Sequence, residues 1–246
     1  MTDRHNRFLG NRVLSPETLM MGYGYDPFLS ERSLKPPVFH TSTFVFRSAQ
    51  DGKEFFELAY GLRQKRPNEE PGLIYSRINN PDLEMLEDRL AIWDQAEASL
   101  VFASGMAAIS TTLWAYARPG TAIIHSGPVY GGTDFLLKKI LPQFGVTSIG
   151  FLSEGGNRAM EEAAQSARGK GPIAALYIET PANPTNGMVD LEHARRSCPA
   201  SMVLTASSRL SSLIIRCWVQ SIRPLWQMVL IWSSRRLLNM SAVIPT

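Results

Sequence analysis

Short apolar runs alternate along this chain with stretches whose apolar residues recur every three or four positions. Residues 98–102 (Ala-Ser-Leu-Val-Phe), 121–125, 148–151 and 174–178 are such runs. Each is too short for a buried helix and predicts a strand. The spacing of Leu83, Met85, Leu86, Leu90 and Trp93 predicts a helix that opens at Asn80-Pro81-Asp82, with Asp82 as its cap. Further helices are predicted over 107–115 and 134–141 and near 160–166. Strands and helices in alternation, joined by short Gly/Pro turns, predict an α/β architecture whose mainly parallel sheet is covered on both faces. Residues 1–60 read as an irregular N-terminal arm with one β-like run at 42–46, and residues 63–72 as a charged, proline-bounded surface loop. No internal repeat is evident.

Composition changes this picture only near Ser197. Residues 1–196 hold 20 basic and 22 acidic side chains and form the enzyme-like body, with 61–196 read as its main domain. Residues 197–246 carry no Gly, Lys, Asp or Glu, and their only charges are five arginines, so the overall +3 belongs to this tail. Both cysteines, Cys198 and Cys217, lie there, so disulfides are not expected in the body and a cytoplasmic setting is. The polar residues 2–7 lead into no apolar core, so no signal peptide is expected. The most apolar stretch, 213–232, is broken by Arg216, Arg223 and Pro224 and makes a poor membrane span. Five arginines scattered over fifty residues form no dense basic patch, so a nucleic-acid partner is not expected.

Four segments carry candidate chemistry. In a parallel sheet, ligands sit beyond the carboxyl ends of the strands, where helix N-termini point. Ser104-Gly105-Met106 follows one strand and opens a helix, so its backbone amides and the helix dipole suit a phosphate. Tyr130-Gly131-Gly132-Thr133 sets an aromatic ring at the same edge. The loop 179–185 contains Pro181 and Pro184, which stiffen it and leave the Asn183 amide free to donate into a cleft. Tyr75 and Arg77, two apart, share a face if their segment is extended, and a phenol beside a guanidinium suits a phosphate. Taken singly, each has a plainer reading that is preferred: a strand–helix turn, a packing aromatic, a stiff loop, a surface polar pair.

Taken together and in this order, they resemble the pyridoxal-phosphate enzymes of Cys/Met metabolism: cystathionine γ-synthase, cystathionine lyases, methionine γ-lyase and O-acetylhomoserine sulfhydrylase. The matching text is Pro-Val-Phe-His-Thr-Ser-Thr-Phe at 37–44, Tyr-Ser-Arg-Ile-Asn-Asn-Pro at 75–81, Phe-Ala-Ser-Gly-Met-Ala at 102–107, Tyr-Gly-Gly-Thr at 130–133 and Glu-Thr-Pro-Ala-Asn-Pro-Thr at 179–185. It covers nearly everything from Gly22 to Arg196. The resemblance implies an aspartate-aminotransferase-like fold and pyridoxal 5'-phosphate as cofactor. It implies that Ser104, Gly105 and Met106 serve the cofactor phosphate, that Tyr130 stacks on the pyridine ring and assists proton transfer, and that Asn183 holds the 3' oxygen. It further implies a homodimer or homotetramer in which Tyr75 and Arg77 reach the phosphate of the neighbouring subunit. Substrates would be a sulfur amino acid or an O-acylhomoserine, with elimination or replacement at the β or γ carbon.

The family also needs an Asp in a Val-Asp-Asn-Thr stretch and a Schiff-base Lys in Ser-x-Thr-Lys. Neither is present: the last lysine is Lys170, in a polar turn, and the last aspartate is Asp190. The tail accounts for the loss if it is translated out of frame. With chosen synonymous codons, 239–246 regroups one base earlier to Lys-Tyr-Val-Gly-Gly-His-Ser-Asp, 214–220 to Asp-Asn-Thr-Met-Leu-Gly-Pro, and 226–234 to Ala-Asn-Gly-Ala-Asp-Leu-Val-Val. The expectation is therefore an incomplete fold without its small C-terminal domain, a tail that supplies no native strands, and a chain without catalysis. The alternative is a non-catalytic relative that binds a phosphorylated ligand or pairs with an intact homologue.

Overall fold

The computed structural model describes residues 4–67, 69, 72–94, 96, 98–197, 202–209, 212–219 and 227–232. The chain divides into two compact units, Met1–Arg89 and Leu90–Thr246.

The first unit is less irregular than its sequence predicts. It holds a small antiparallel ladder of β1 (Phe8–Leu9) and β2 (Arg12–Val13), a one-turn helix α1 (Pro16–Leu19), and the eleven-residue helix α2 (Ala49–Ala59). Ser48 caps α2, its hydroxyl accepting from the Asp51 N–H at 3.1 Å, while Asp51 accepts from the Arg47 N–H at 3.1 Å. The expected strand at 42–46 reduces to one isolated bridge, Thr43 to Tyr75. Arg63 grips Glu69 at the start of the charged loop, and Arg66 reaches back to Glu54 on α2 at 3.0 Å. Helix α3 (Pro81–Trp93) begins as expected, but its cap is Asn80 rather than Asp82. The Asn80 side chain accepts from the Asp82 N–H at 2.9 Å, while the Asp82 carboxylate accepts from the Phe39 N–H at 2.9 Å. Pro81 at the first helical position has no N–H to offer, so the residue before it is the one placed to cap.

The second unit is built on a seven-stranded sheet. In chain order its elements are β3 (Ala98–Phe102), α4 (Gly105–Tyr116), β4 (Ala122–Gly127), α5 (Gly131–Phe135), β5 (Thr147–Leu152), α6 (Gly156–Arg168), β6 (Ile173–Glu179), α7 (Leu191–Ser197), β7 (Met202–Arg209), β8 (Ser212–Val219) and β9 (Gln227–Trp232). Helix α5 runs on as a wider π-helical turn, Leu136–Ile140, and a 3-10 turn, Leu141–Phe144. Strand order is β3-β9-β8-β7-β6-β4-β5, with every neighbouring pair parallel except β7/β8 and β8/β9. Residues 202–232 of the tail supply three of the seven strands. Short apolar runs, Met-Val-Leu, Leu-Ile-Ile and Met-Val-Leu-Ile, fall within these three strands. The regrouped lysine segment, 239–246, lies outside the described residues.

Two layers of core flank the sheet, as its strand pattern predicts. Ile123, Ala175 and Tyr177 face α4 and the helix after Tyr130, packing with Ile109, Leu113, Leu137 and Leu141. Ile124, Leu176 and Ile178 face the other way, against α6 and α7. Helix α6 buries Met160, Ala163, Ala164 and Ala167, one stripe at i, i+3, i+4 and i+7. Among the described residues no helix is long and apolar enough to cross a membrane.

Candidate functional site

The carboxyl ends of β3, β4 and β6 deliver most of the candidate residues. After β3 the chain reaches Ser104 in extended geometry (φ −154°, ψ 154°), and its hydroxyl accepts from the Ala107 N–H at 3.0 Å. This leaves the amides of Gly105 and Met106 at the first two helical positions, where no preceding turn exists to accept from them. Neither has a hydrogen-bond partner among the described residues. A twelve-residue helix thus ends in two free donors and a favourable dipole, the donor set a phosphate takes.

After β4, Tyr130 precedes α5 and is 62 % exposed as a residue. The structure brings Tyr130 and Met106 together over Gly132. A Cβ at that glycine would stand 2.8 Å from Tyr130 Cε1 and 3.1 Å from Met106 Sδ. The Thr133 hydroxyl adds a weak bond to Met106 Sδ at 3.8 Å. An exposed aromatic residue near the Met106 side chain, with two unpartnered amides at the start of the same methionine's helix, fits a flat, phosphorylated heterocycle such as pyridoxal phosphate.

After β6, the loop holding Asn183 closes on itself: the Ala182 N–H donates to the Gly187 carbonyl at 2.9 Å, and the Asn186 N–H to the Ala182 carbonyl at 2.7 Å. Asn183 is exposed, and no hydrogen bond engages its side chain among the described residues. In the first unit, Tyr75 and Arg77 also come together, but by a turn rather than an extended run. The Ile78 N–H donates to the Tyr75 carbonyl at 2.8 Å, and the Arg77 guanidinium lies 5.4 Å from the Tyr75 ring centroid. Lys170 is exposed in the turn before β6, at the opposite end of that strand from Glu179.

Sequence reasoning missed Glu179. One carboxylate oxygen accepts from the Tyr130 N–H at 2.8 Å, and the other from the Tyr177 hydroxyl at 2.7 Å. Its own N–H donates to the Ser126 hydroxyl at 3.0 Å. Burial pushes its pKa up, against the lowering effect of these hydrogen bonds, and pushes that of the buried Tyr177 phenol well up. The available signal was a single carboxylate closing the otherwise apolar strand Ile-Ala-Ala-Leu-Tyr-Ile-Glu. Beside Tyr177 on β4, His125 is buried; its Nδ1 lies 2.8 Å from the Ser126 carbonyl, and burial lowers its pKa.

Comparison with known proteins bears on this site. The family model for Cys/Met metabolism PLP-dependent enzymes matches residues 17–206. An L-methionine gamma-lyase from Pseudomonas deceptionensis is 35% identical over 192 residues, 78% of this chain and 42% of that protein. A homocysteine synthase from Schizosaccharomyces pombe is 30% identical over 72% of this chain and 37% of that protein. The chain thus spans about two fifths of the length of these curated relatives. Among solved structures, an enzyme described as an O-acetylhomoserine (thiol)-lyase from Campylobacter jejuni aligns with a TM-score of 0.61 at 23% identity, over 78% of this chain and 49% of that one. That structure holds a pyridoxyl-lysine phosphate at its own position 205. The metB structure from Corynebacterium glutamicum aligns with a TM-score of 0.59 over 81% of this chain and 52% of that one. These likenesses give an α/β fold with a mainly parallel sheet, of which the chain covers about half. The match over residues 17–206 is decisive: the chain belongs to the Cys/Met metabolism PLP-dependent enzyme family, whose cofactor is pyridoxal phosphate.

Proposed function

We propose that these 246 residues form a pyridoxal-phosphate-binding body of a sulfur amino acid enzyme that holds the cofactor reversibly and without catalysis. The phosphate sits on the amides of Gly105 and Met106, with Ser104 holding the helix start in shape. The ring lies against Tyr130, and Asn183 donates to the ring oxygen. The observation that carries this reading is the pair of unpartnered amides at the start of α4, with the exposed Tyr130 ring beside Met106. Pyridoxal phosphate, when bound, supplies an electron sink for bonds at the α carbon of an amino acid. The chain's part is to orient that group and shield one face of its ring. In the intact family context the substrate is methionine, cystathionine or an O-acylhomoserine, and a second copy brings Tyr75 and Arg77 to the phosphate. A cytoplasmic setting suits a chain whose cysteines are confined to positions 198 and 217. Within these 246 residues no lysine follows Lys170, which supports the reading without catalysis and a one-base slip near Ser197.

Gly105→Pro tests the phosphate site. Proline is favourable at the first helical position, and the extended Ser104 backbone suits the residue before it, so the helix persists while one donor is lost. A charge-assisted hydrogen bond contributes about 1.5–3 kcal/mol, so pyridoxal phosphate should bind roughly tenfold to a hundredfold more weakly. Binding of pyridoxal, which lacks the phosphate, should not change. An equal loss for both ligands, or none for either, would place the phosphate elsewhere.

A further inference from the structure

Tyr130 is poorly held for a residue that must present its ring at a fixed angle. The residue is 62 % exposed and makes no side-chain cap for α5. Its backbone has two ties: the carbonyl accepts from the Asp134 N–H at 2.9 Å, and the N–H donates to Glu179 at 2.8 Å. The first lies within the helix and moves with it. The second crosses 49 residues to the end of β6. Glu179 is fixed in turn by the phenol of Tyr177, which is fully buried in the core, and by its own N–H on Ser126. The chain of contacts therefore runs from the sheet's interior to the one backbone amide that sets where Tyr130 begins its turn.

We infer that Glu179 is a positioning residue, a carboxylate clamp that transmits the rigidity of the sheet to the cofactor-facing ring of Tyr130. The inference rests on the reading of Tyr130 given above. It also separates the roles of the two helix starts. At α5 the electropositive end is neutralised internally by Glu179, whereas at α4 it stays open to an external anion.

The test uses the full 246-residue chain. Amide exchange at Tyr130 is followed in the ligand-free protein, and pyridoxal phosphate binding by affinity and by the visible circular dichroism of the bound chromophore. Glu179→Ala should speed Tyr130 exchange by roughly tenfold or more, the loss of one charge-assisted acceptor. It should weaken cofactor binding by about twofold to tenfold, the size of a stacking contact, and diminish the dichroic band. Glu179→Gln should restore both, since its amide can accept from Tyr130 and donate to the Tyr177 oxygen. In a Tyr130→Ala background, Glu179→Ala should weaken binding no further. If Glu179→Ala does not fold, Glu179→Asp, one methylene too short to span both partners, carries the same comparison. Unchanged exchange and affinity, or an equal loss with Tyr130 already removed, would overturn the clamp while leaving Tyr130's own role intact. If Tyr130→Ala alone has no effect on binding, the stacking reading falls and the clamp with it.

Discussion

Replacing Gly132 by Ala should separate stability from ligand binding. The added methyl group would sit 2.8 Å from Tyr130 Cε1 and 3.1 Å from Met106 Sδ, where carbon atoms at rest keep about 3.5–4.0 Å apart. The ring must therefore move by roughly 1 Å. It can do so into solvent, because Tyr130 is an exposed residue, and the methionine thioether can swing as well. Relief of the clash is cheap, and Ala in place of Gly in a helix contributes up to about 1 kcal/mol. The melting temperature should thus hold or rise by about 2–4 °C. The displaced ring, however, can no longer lie flat on the pyridine. A stacking contact contributes about 0.5–1.5 kcal/mol beyond area, so pyridoxal phosphate affinity should fall about twofold to tenfold. Thermal melts and a spectroscopic titration on the same samples read both effects. Unchanged affinity would refute the placement of the cofactor ring against Tyr130. A melting temperature lowered by many degrees would refute the freedom of that ring.

Three further outcomes follow from the geometry. Leu176→Ala, in the fully buried stretch of β6, should cost about 2–5 kcal/mol in denaturant unfolding, and a loss below 1 kcal/mol would mean the layer against α6 is not tightly packed. His125 has its pKa lowered by burial, so the unfolded chain binds a proton that the folded chain refuses. Stability should therefore fall as pH drops below the ordinary histidine value near 6.5, with a slope of at most about 1.4 kcal/mol per pH unit, and His125→Gln should flatten that limb. Glu179 acts in the opposite sense: its raised pKa makes the folded state hold its proton longer, so its contribution declines as pH rises from about 4.5 upward. The difference in unfolding free energy between the parent chain and Glu179→Gln should move in favour of the variant over that window, and a pH-independent difference would contradict the burial of that carboxyl.

Strands β3 to β6 of the second unit were legible because they are apolar, short and punctuated by turns; β3 matches its expected bounds, β5 and β6 extend theirs by one residue at each end, and β4 starts one residue later and ends two later than expected. Helix α4 announced itself by Ser104 and the apolar positions after it. Helix α2 did not, since its aromatic residues Phe55 and Phe56 are adjacent rather than spaced, although Ser48 followed by Asp51 three positions on was a readable start signal. The tail differs in composition from the body, yet strand formation asks only for short apolar runs that can hydrogen-bond to neighbouring strands, and β3 and β6 provide such neighbours. The clamp at Glu179 was hidden for a different reason. Its partners lie 49 residues away and two residues before it, and only the register of β6 beside β4 brings the first of these within reach.

The central claim is that this chain grips pyridoxal phosphate by its phosphate and ring without a covalent anchor. Borohydride reduction of the saturated complex, followed by intact and peptide mass analysis, addresses it most directly. The account predicts a chain of unaltered mass from a sample whose titration had reached a plateau. Stoichiometric pyridoxyl labelling of a single lysine would contradict it.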